Sequence, residues 1–189
     1  MSYNYKKMKP EDWEIVFHGG LFIIEKHTIK WYERAVRPPG VRLVLRDSND
    51  KYLITKEFRS EQWWFDYRLP GWKVVDDIDS YLDMRNAENK LNKAVLKAAR
   101  LEAKEEAGVD DIQDLEIITI SKAWASVEWT LYYLSGIITA MWEQDLWWDE
   151  AIHGIEVWFY TKNEILDMIY AGDMKEERSV AVLIKHFGK

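Results

Sequence analysis

Short runs of β-branched, aromatic and aliphatic residues, separated by turn-forming clusters, divide the chain into strand-like pieces around one long helical stretch. VRLVLRD and KYLITKEF flank the turn residues 48–50 and read as a β-hairpin with strands at 41–46 and 52–57. The segment 65–75, FDYRLPGWKVV, joins apolar residues to a Pro-Gly turn, and an acidic, helix-compatible stretch follows at 76–90. From Leu91 to Ala107 strong helix formers fill nearly every position, and Gly108 then supplies a C-terminal cap. Beyond it, LEIITI at 115–120, the run 129–140 and IEVWFY at 155–160 predict three more strands. Thr161 and Glu164 have the spacing of a capping box that starts a helix running to about Ala171, and 176–187 predicts another helix.

The first 30 residues carry a lone strand-like run, GLFIIE at 20–25, after a polar, Lys-rich start, and read as an extended arm. RPPG at 37–40 punctuates the chain as a turn, so the organisation divides into an arm, 1–40, and a domain, 41–189. The pattern of strands, one long helix, strands and closing helices predicts an α+β fold with a mixed central sheet, an α/β/α sandwich.

Within the long helix, AARLEAKEEAGV places Glu102, Glu105 and Glu106 at i, i+3 and i+4, on one patch near the helix C-terminus. Anions are disfavoured at that end, and like charges at this spacing repel. Two readings remain open. One is a solvated face balanced by Lys97, Arg100 and Lys104; the other is a set of oxygen ligands for a hard divalent cation.

Composition narrows the function classes. A net charge of −7 argues against a general affinity for nucleic acid or anionic membranes, so an anionic substrate needs local basic residues. The absence of cysteine excludes disulfides, thiolate catalysis and Cys-ligated zinc, and no apolar run is long enough to span a bilayer, which reads as a cytoplasmic chain. His18, His27, His153 and His186 show no metal-ligand spacing. Eleven tryptophans, with adjacent pairs at Trp63-Trp64 and Trp147-Trp148, supply mostly core and interface area, with one or two able to stack on a base.

A strand, then LPG, then a helix ending in RLEAKEEAGV resembles the Nudix hydrolase signature, G-x5-E-x7-R-E-U-x-E-E-x-G-U with U aliphatic. Glu102 falls on the glutamate after the pattern's arginine, Glu105 and Glu106 on the adjacent pair, Gly108 and Val109 on the closing residues. Leu69-Pro70-Gly71, Lys56-Glu57-Phe58-Arg59 and Ser126-Val127-Glu128 are similar to segments of the ADP-ribose pyrophosphatase branch, as are the closing helices. The sequence departs from the pattern at Trp72, which stands on its first glycine, at Leu101 on its arginine, and at Lys93 on its first glutamate. The acidic stretch 76–90 stands inserted between LPG and the helix, and one of its carboxylates is a candidate to replace the missing one. Arg100 points about 100° away from the Leu101 position.

The resemblance implies a Nudix-type sandwich that cleaves the diphosphate of ADP-ribose or a related nucleoside diphosphate sugar with Mg²⁺, Mn²⁺ being an alternative. It implies Glu102 and Glu106 as metal ligands, Glu105 as ligand or catalytic carboxylate, and the Gly71 carbonyl as a further ligand. A catalytic base is expected in the loop 145–150, Glu150 first and Asp149 second, against a plain surface turn. Arg59 is expected to bind phosphate or to form a surface ion pair, and Glu128 to reach the metal or substrate or to stand exposed. Similar pyrophosphatases pair through such an arm, which implies a homodimer. A catalytically impaired ligand-binding domain and a plain interaction module are the competing classes.

Overall fold

The computed structural model describes residues 12–59, 63–123, 126–144 and 154–188. Among them the strands are β1 (Trp13–His18), β2 (Ile23–His27), β3 (Glu33–Val36), β4 (Gly40–Arg46), β5 (Tyr52–Arg59), β6 (Trp64–Arg68), β7 (Val109–Lys122), β8 (Val127–Glu128), β9 (Thr130–Met141) and β10 (Glu156–Tyr160). The helices are α1 (Ile78–Leu82), α2 (Glu88–Ala107), α3 (Lys162–Ala171) and α4 (Glu177–Phe187). None of the described helices is long and apolar enough to cross a membrane.

Strand β4 is central because its sequence allows burial on both faces. Val41, Leu43 and Leu45 point to one side and pack with Val95, Ala99 and Ala103 of α2. Val44 points to the other side and packs with Ile165 of α3 and Leu183 of α4. Each fully buried aliphatic side chain contributes about 1.5–3 kcal/mol, so this strand holds the two helical layers to one sheet. The order β10-β5-β4-β9-β7, with β6 on β5, is a mixed sheet: β4 and β9 run parallel, and the other pairings are antiparallel. The α+β class and the sandwich expected from the sequence are therefore observed.

Local signals act as expected at two helix ends. Gly108 caps α2 in the left-handed conformation, φ 65°, and its N–H returns to Ala103 and Lys104 carbonyls. Thr161 and Glu164 form the capping box of α3, with Thr161 N donating to Glu164 Oε2 at 2.7 Å.

The N-terminal region differs from the expected lone strand in an extended arm. Strands β1, β2 and β3 form an antiparallel meander, and β3 pairs in parallel with β8, so this second sheet is joined to the rest by backbone bonds. Ile23 and Val36 are fully buried in the same core as α2. The reason is long-range: the partner of β3 lies 92 residues downstream at Val127, as Ala35 pairs with Val127. Strand β7 also exceeds its expected length, because it continues from the α2 cap along β9 through several register shifts.

Candidate active site

Along half its length, β4 gives the edge next to β5 to the LPG segment. Arg46 pairs with Tyr52, but Leu43 N donates to Pro70 O at 3.0 Å and Val41 N to Trp72 O at 2.9 Å. The segment acts as a wedge that opens a cleft of about 1040 Å³. Gly71 makes the wedge fit: its φ is 131°, a region open to glycine, and a Cβ there would overlap the Val41 carbonyl.

This close approach brings Gly71 against α2. Gly71 N–H donates to Glu106 Oε2 at 2.7 Å, and the Gly71 carbonyl accepts from Arg42 Nη1. Arg42 Nε in turn donates to Glu176 Oε2 at 3.1 Å, immediately before α4. Helix, loop, central strand and closing helix are thus linked through polar contacts across the sandwich.

The cleft gathers Glu102, Glu105, Glu106, Gly71 and Arg59, five of the positions singled out in the sequence. Glu102 and Glu106 are each 8% exposed, so these two are not a solvated face; Glu105 is half-buried beside them. Among the described residues no three His, Asp or Glu side chains converge as a complete cage. Mg²⁺ binds through one or two carboxylates and completes its shell with water and substrate phosphate. The donor set fits: hard oxygen ligands from two buried carboxylates on the wall of an open cleft. The Gly71 carbonyl, expected as a ligand, is engaged by Arg42.

Arg59 lies 3.1 Å from Glu57 and faces the same cleft. Leu101 also lines it and is 47% exposed, while Arg100 turns away to donate to Ile112 O at 3.2 Å. Trp72 lines the cleft, whereas Trp63 and Trp64 stand outside its walls. Glu150, Asp149, Trp147 and Trp148 lie outside the described residues.

Glu128 is not brought to this cleft. Its carboxylate accepts from Arg85 Nε at 2.8 Å and Nη2 at 2.6 Å, and pairs with Arg34 at 3.1 Å. Arg85, from the inserted stretch after α1, also donates to Glu25 Oε1 at 2.7 Å. Burial raises the Glu25 carboxyl, but the hydrogen bonds and charges of Arg85 and then Arg34 outweigh it and hold it below its ordinary value. Burial and then the Glu128 charge push the neighbouring Tyr81 hydroxyl up. The insertion is therefore tied to the N-terminal sheet and β8, which sequence reasoning did not foresee. Arg42 had a legible signal, a charge within the apolar run VRLVL; Arg85 had none.

The fold is that of the Nudix hydrolases. The chain is similar to a NUDIX hydrolase from Nitrosomonas europaea, with 17% identity, a TM-score of 0.58, and 81% of this chain and 91% of that one covered. It is similar also to an ADP compounds hydrolase, with 19% identity, a TM-score of 0.64, and 98% of this chain and 96% of that one covered. No protein-family model matches the sequence, and none of the curated proteins does.

Proposed function

We propose that this chain is a cytoplasmic, Mg²⁺-dependent Nudix hydrolase that cleaves the diphosphate of ADP-ribose or a related nucleoside diphosphate sugar, with Mn²⁺ able to substitute. One observation carries this reading: Glu102 and Glu106 are buried on the wall of the same cleft that Arg59 and Glu105 line. The fold neighbour named as an ADP compounds hydrolase supports the substrate class.

Glu102 and Glu106 would hold the cation, which when bound would supply charge neutralisation to the diphosphate. Gly71 N–H pins the Glu106 side chain in place. Arg59 presents its fork to a phosphate oxygen pair, for which bidentate geometry is favourable. Glu105 takes a proton from the attacking water at its carboxylate, with Glu150 as the further candidate base. Positioning is most of the catalysis, because the phosphorus is already surrounded by negative oxygens. The enzyme acts as a homodimer, paired through the N-terminal sheet, whose β1 face exposes Ile15, Val16 and Phe17.

A second reading, an impaired domain that binds the same ligand without turnover, is favoured by Leu101, which places an aliphatic side chain on the cleft where the pattern has arginine. The test is a panel of ADP-ribose, nucleotide sugars, dinucleotides and nucleoside triphosphates with Mg²⁺, read by phosphate or nucleotide release. Release from ADP-ribose or a nucleotide sugar, abolished in Glu106→Gln, supports the hydrolase. Binding without release supports the second reading, and neither binding nor release overturns both.

A further inference from the structure

A second cleft, of about 580 Å³, adjoins the first and shares Arg59, Arg68, Trp72 and Lys73 with it. Its wall is Trp129, whose ring carries two guanidinium groups: Arg37 Cζ at 4.4 Å and Arg178 Cζ at 4.2 Å from the ring centroid. Arg37 leaves the Pro-rich turn before β4, and Arg178 lies in the first turn of α4, so chain segments 141 positions apart meet here. Arg42 stands close enough to act electrostatically on Arg37.

The arginines of this cleft are not equally matched. Arg42 is paired with Glu176 at 3.1 Å, and Arg59 with Glu57 at 3.1 Å. Arg37 and Arg178 have no ion pair among the described residues, and Arg178 Nη1 is buried with no hydrogen-bond partner. Glu177 also lies on the rim, but it is exposed. Burial, then the Arg178 and Arg42 charges, pull the Arg37 guanidinium below its ordinary value. An indole face attracts a guanidinium but accepts none of its in-plane N–H bonds, so the donor forks keep their directed capacity. The structural matches for two such forks are the oxygens of a phosphoryl group, which bring both charge and several acceptors.

We propose that the Arg37–Trp129–Arg178 cleft binds a phosphoryl group outside the diphosphate held beside the glutamates, so that preferred substrates are nucleotide derivatives with at least one further phosphate. The substrate half of this inference rests on the hydrolase reading above; the anion site does not. Because Arg59, Arg68, Trp72 and Lys73 line both clefts, the two lie side by side, within the span of one nucleotide derivative.

The test has a metal-free arm and a kinetic arm. In EDTA, inorganic phosphate is titrated calorimetrically into wild type, Arg37→Gln, Arg178→Gln, Arg178→Lys and Glu106→Gln. The affinity should fall about ten- to hundredfold in the two glutamine variants, the span of losing a charged hydrogen-bond donor. It should fall less in Arg178→Lys, which keeps the charge without the fork, and stay near wild type in Glu106→Gln. Each glutamine variant relieves repulsion within the cluster but loses a contact with the Trp129 ring, so thermal melts establish that both are folded at the titration temperature. In the kinetic arm, with Mg²⁺, kcat/KM is compared for ADP-ribose and ADP-ribose 2′-phosphate or diadenosine triphosphate. A preference for either phosphate-rich substrate that falls toward one in Arg178→Gln supports the inference. Phosphate affinity unchanged in both glutamine variants, or equal kcat/KM for all three substrates in wild type, overturns it. An arginine-dependent phosphate response with no turnover of any substrate instead removes the hydrolase reading and leaves the anion site standing.

Discussion

Gly71 N–H is bonded to Glu106 Oε2 at 2.7 Å, across 35 positions of sequence, and this bond sets the loop beside the glutamates of α2. The acceptor is a carboxylate near a helix C-terminus, where its charge is least welcome, and Glu102 is buried on the same wall. Replacing Glu106 by Gln keeps size, helix propensity and an oxygen able to accept from Gly71. Activity should fall by orders of magnitude while the apo protein keeps or gains stability. Thermal midpoints with and without millimolar Mg²⁺ check this, because a ligand of the folded state raises its stability by mass action. The same lack of Mg²⁺ response in wild type, Glu102→Gln and Glu106→Gln, with and without a diphosphate ligand, would remove the metal from the site.

Gly71→Ala should be severe for a backbone reason. Its φ of 131° is closed to alanine, and the added Cβ would overlap the Val41 carbonyl, which is main chain of the central strand and cannot turn aside. A loss on the order of 3 kcal/mol is expected, read as a lowered urea midpoint. Gly154→Ala is the control: its φ is also positive, at 64°, but nothing among the described residues lies within 4 Å of the added atom, so a smaller loss should follow.

The Arg85 network predicts acid sensitivity. The Glu25 carboxyl lies below its ordinary value of 4.5 in the folded chain, so the unfolded chain binds the proton more tightly. The stabilisation is then complete above that value and is lost as pH falls from it through the lower value of the folded chain. Glu25→Gln should flatten the acid limb of the stability profile. Arg85→Met, which leaves Arg34 as the cation shared by Glu25 and Glu128, should cost about 3 kcal/mol at neutral pH. Urea melts at a series of pH values separate the two effects.

The exposed apolar face of β1 predicts association. Phe17 is 50% exposed and packs on Phe22, with ring centroids 5.6 Å apart, at the hairpin between β1 and β2. Phe17→Glu should shift the protein toward monomer at micromolar concentration with the fold intact, as seen by light scattering and circular dichroism. A wild type that is strictly monomeric at that concentration would remove the homodimer.

The amino-acid sequence by itself determined what depends on neighbours a few residues apart. The α2 helix and its Gly108 cap, the Thr161 capping box and the apolar strands of the central sheet all rest on local propensity and spacing, and all are observed. The i, i+3, i+4 spacing likewise put the three glutamates on one patch, because helix geometry alone dictates it. Whether that patch faced water or a cleft was decided by the wedge at Gly71, which depends on β4 parting from β5. Only the tertiary structure joined β3 to β8, turned Arg100 toward Ile112, and drew Glu128 to Arg85. It alone gathered Arg37 and Arg178 on Trp129. Such pairings carry no periodic signature, since their energy comes from burying and matching charges that chain topology, not sequence distance, brings together.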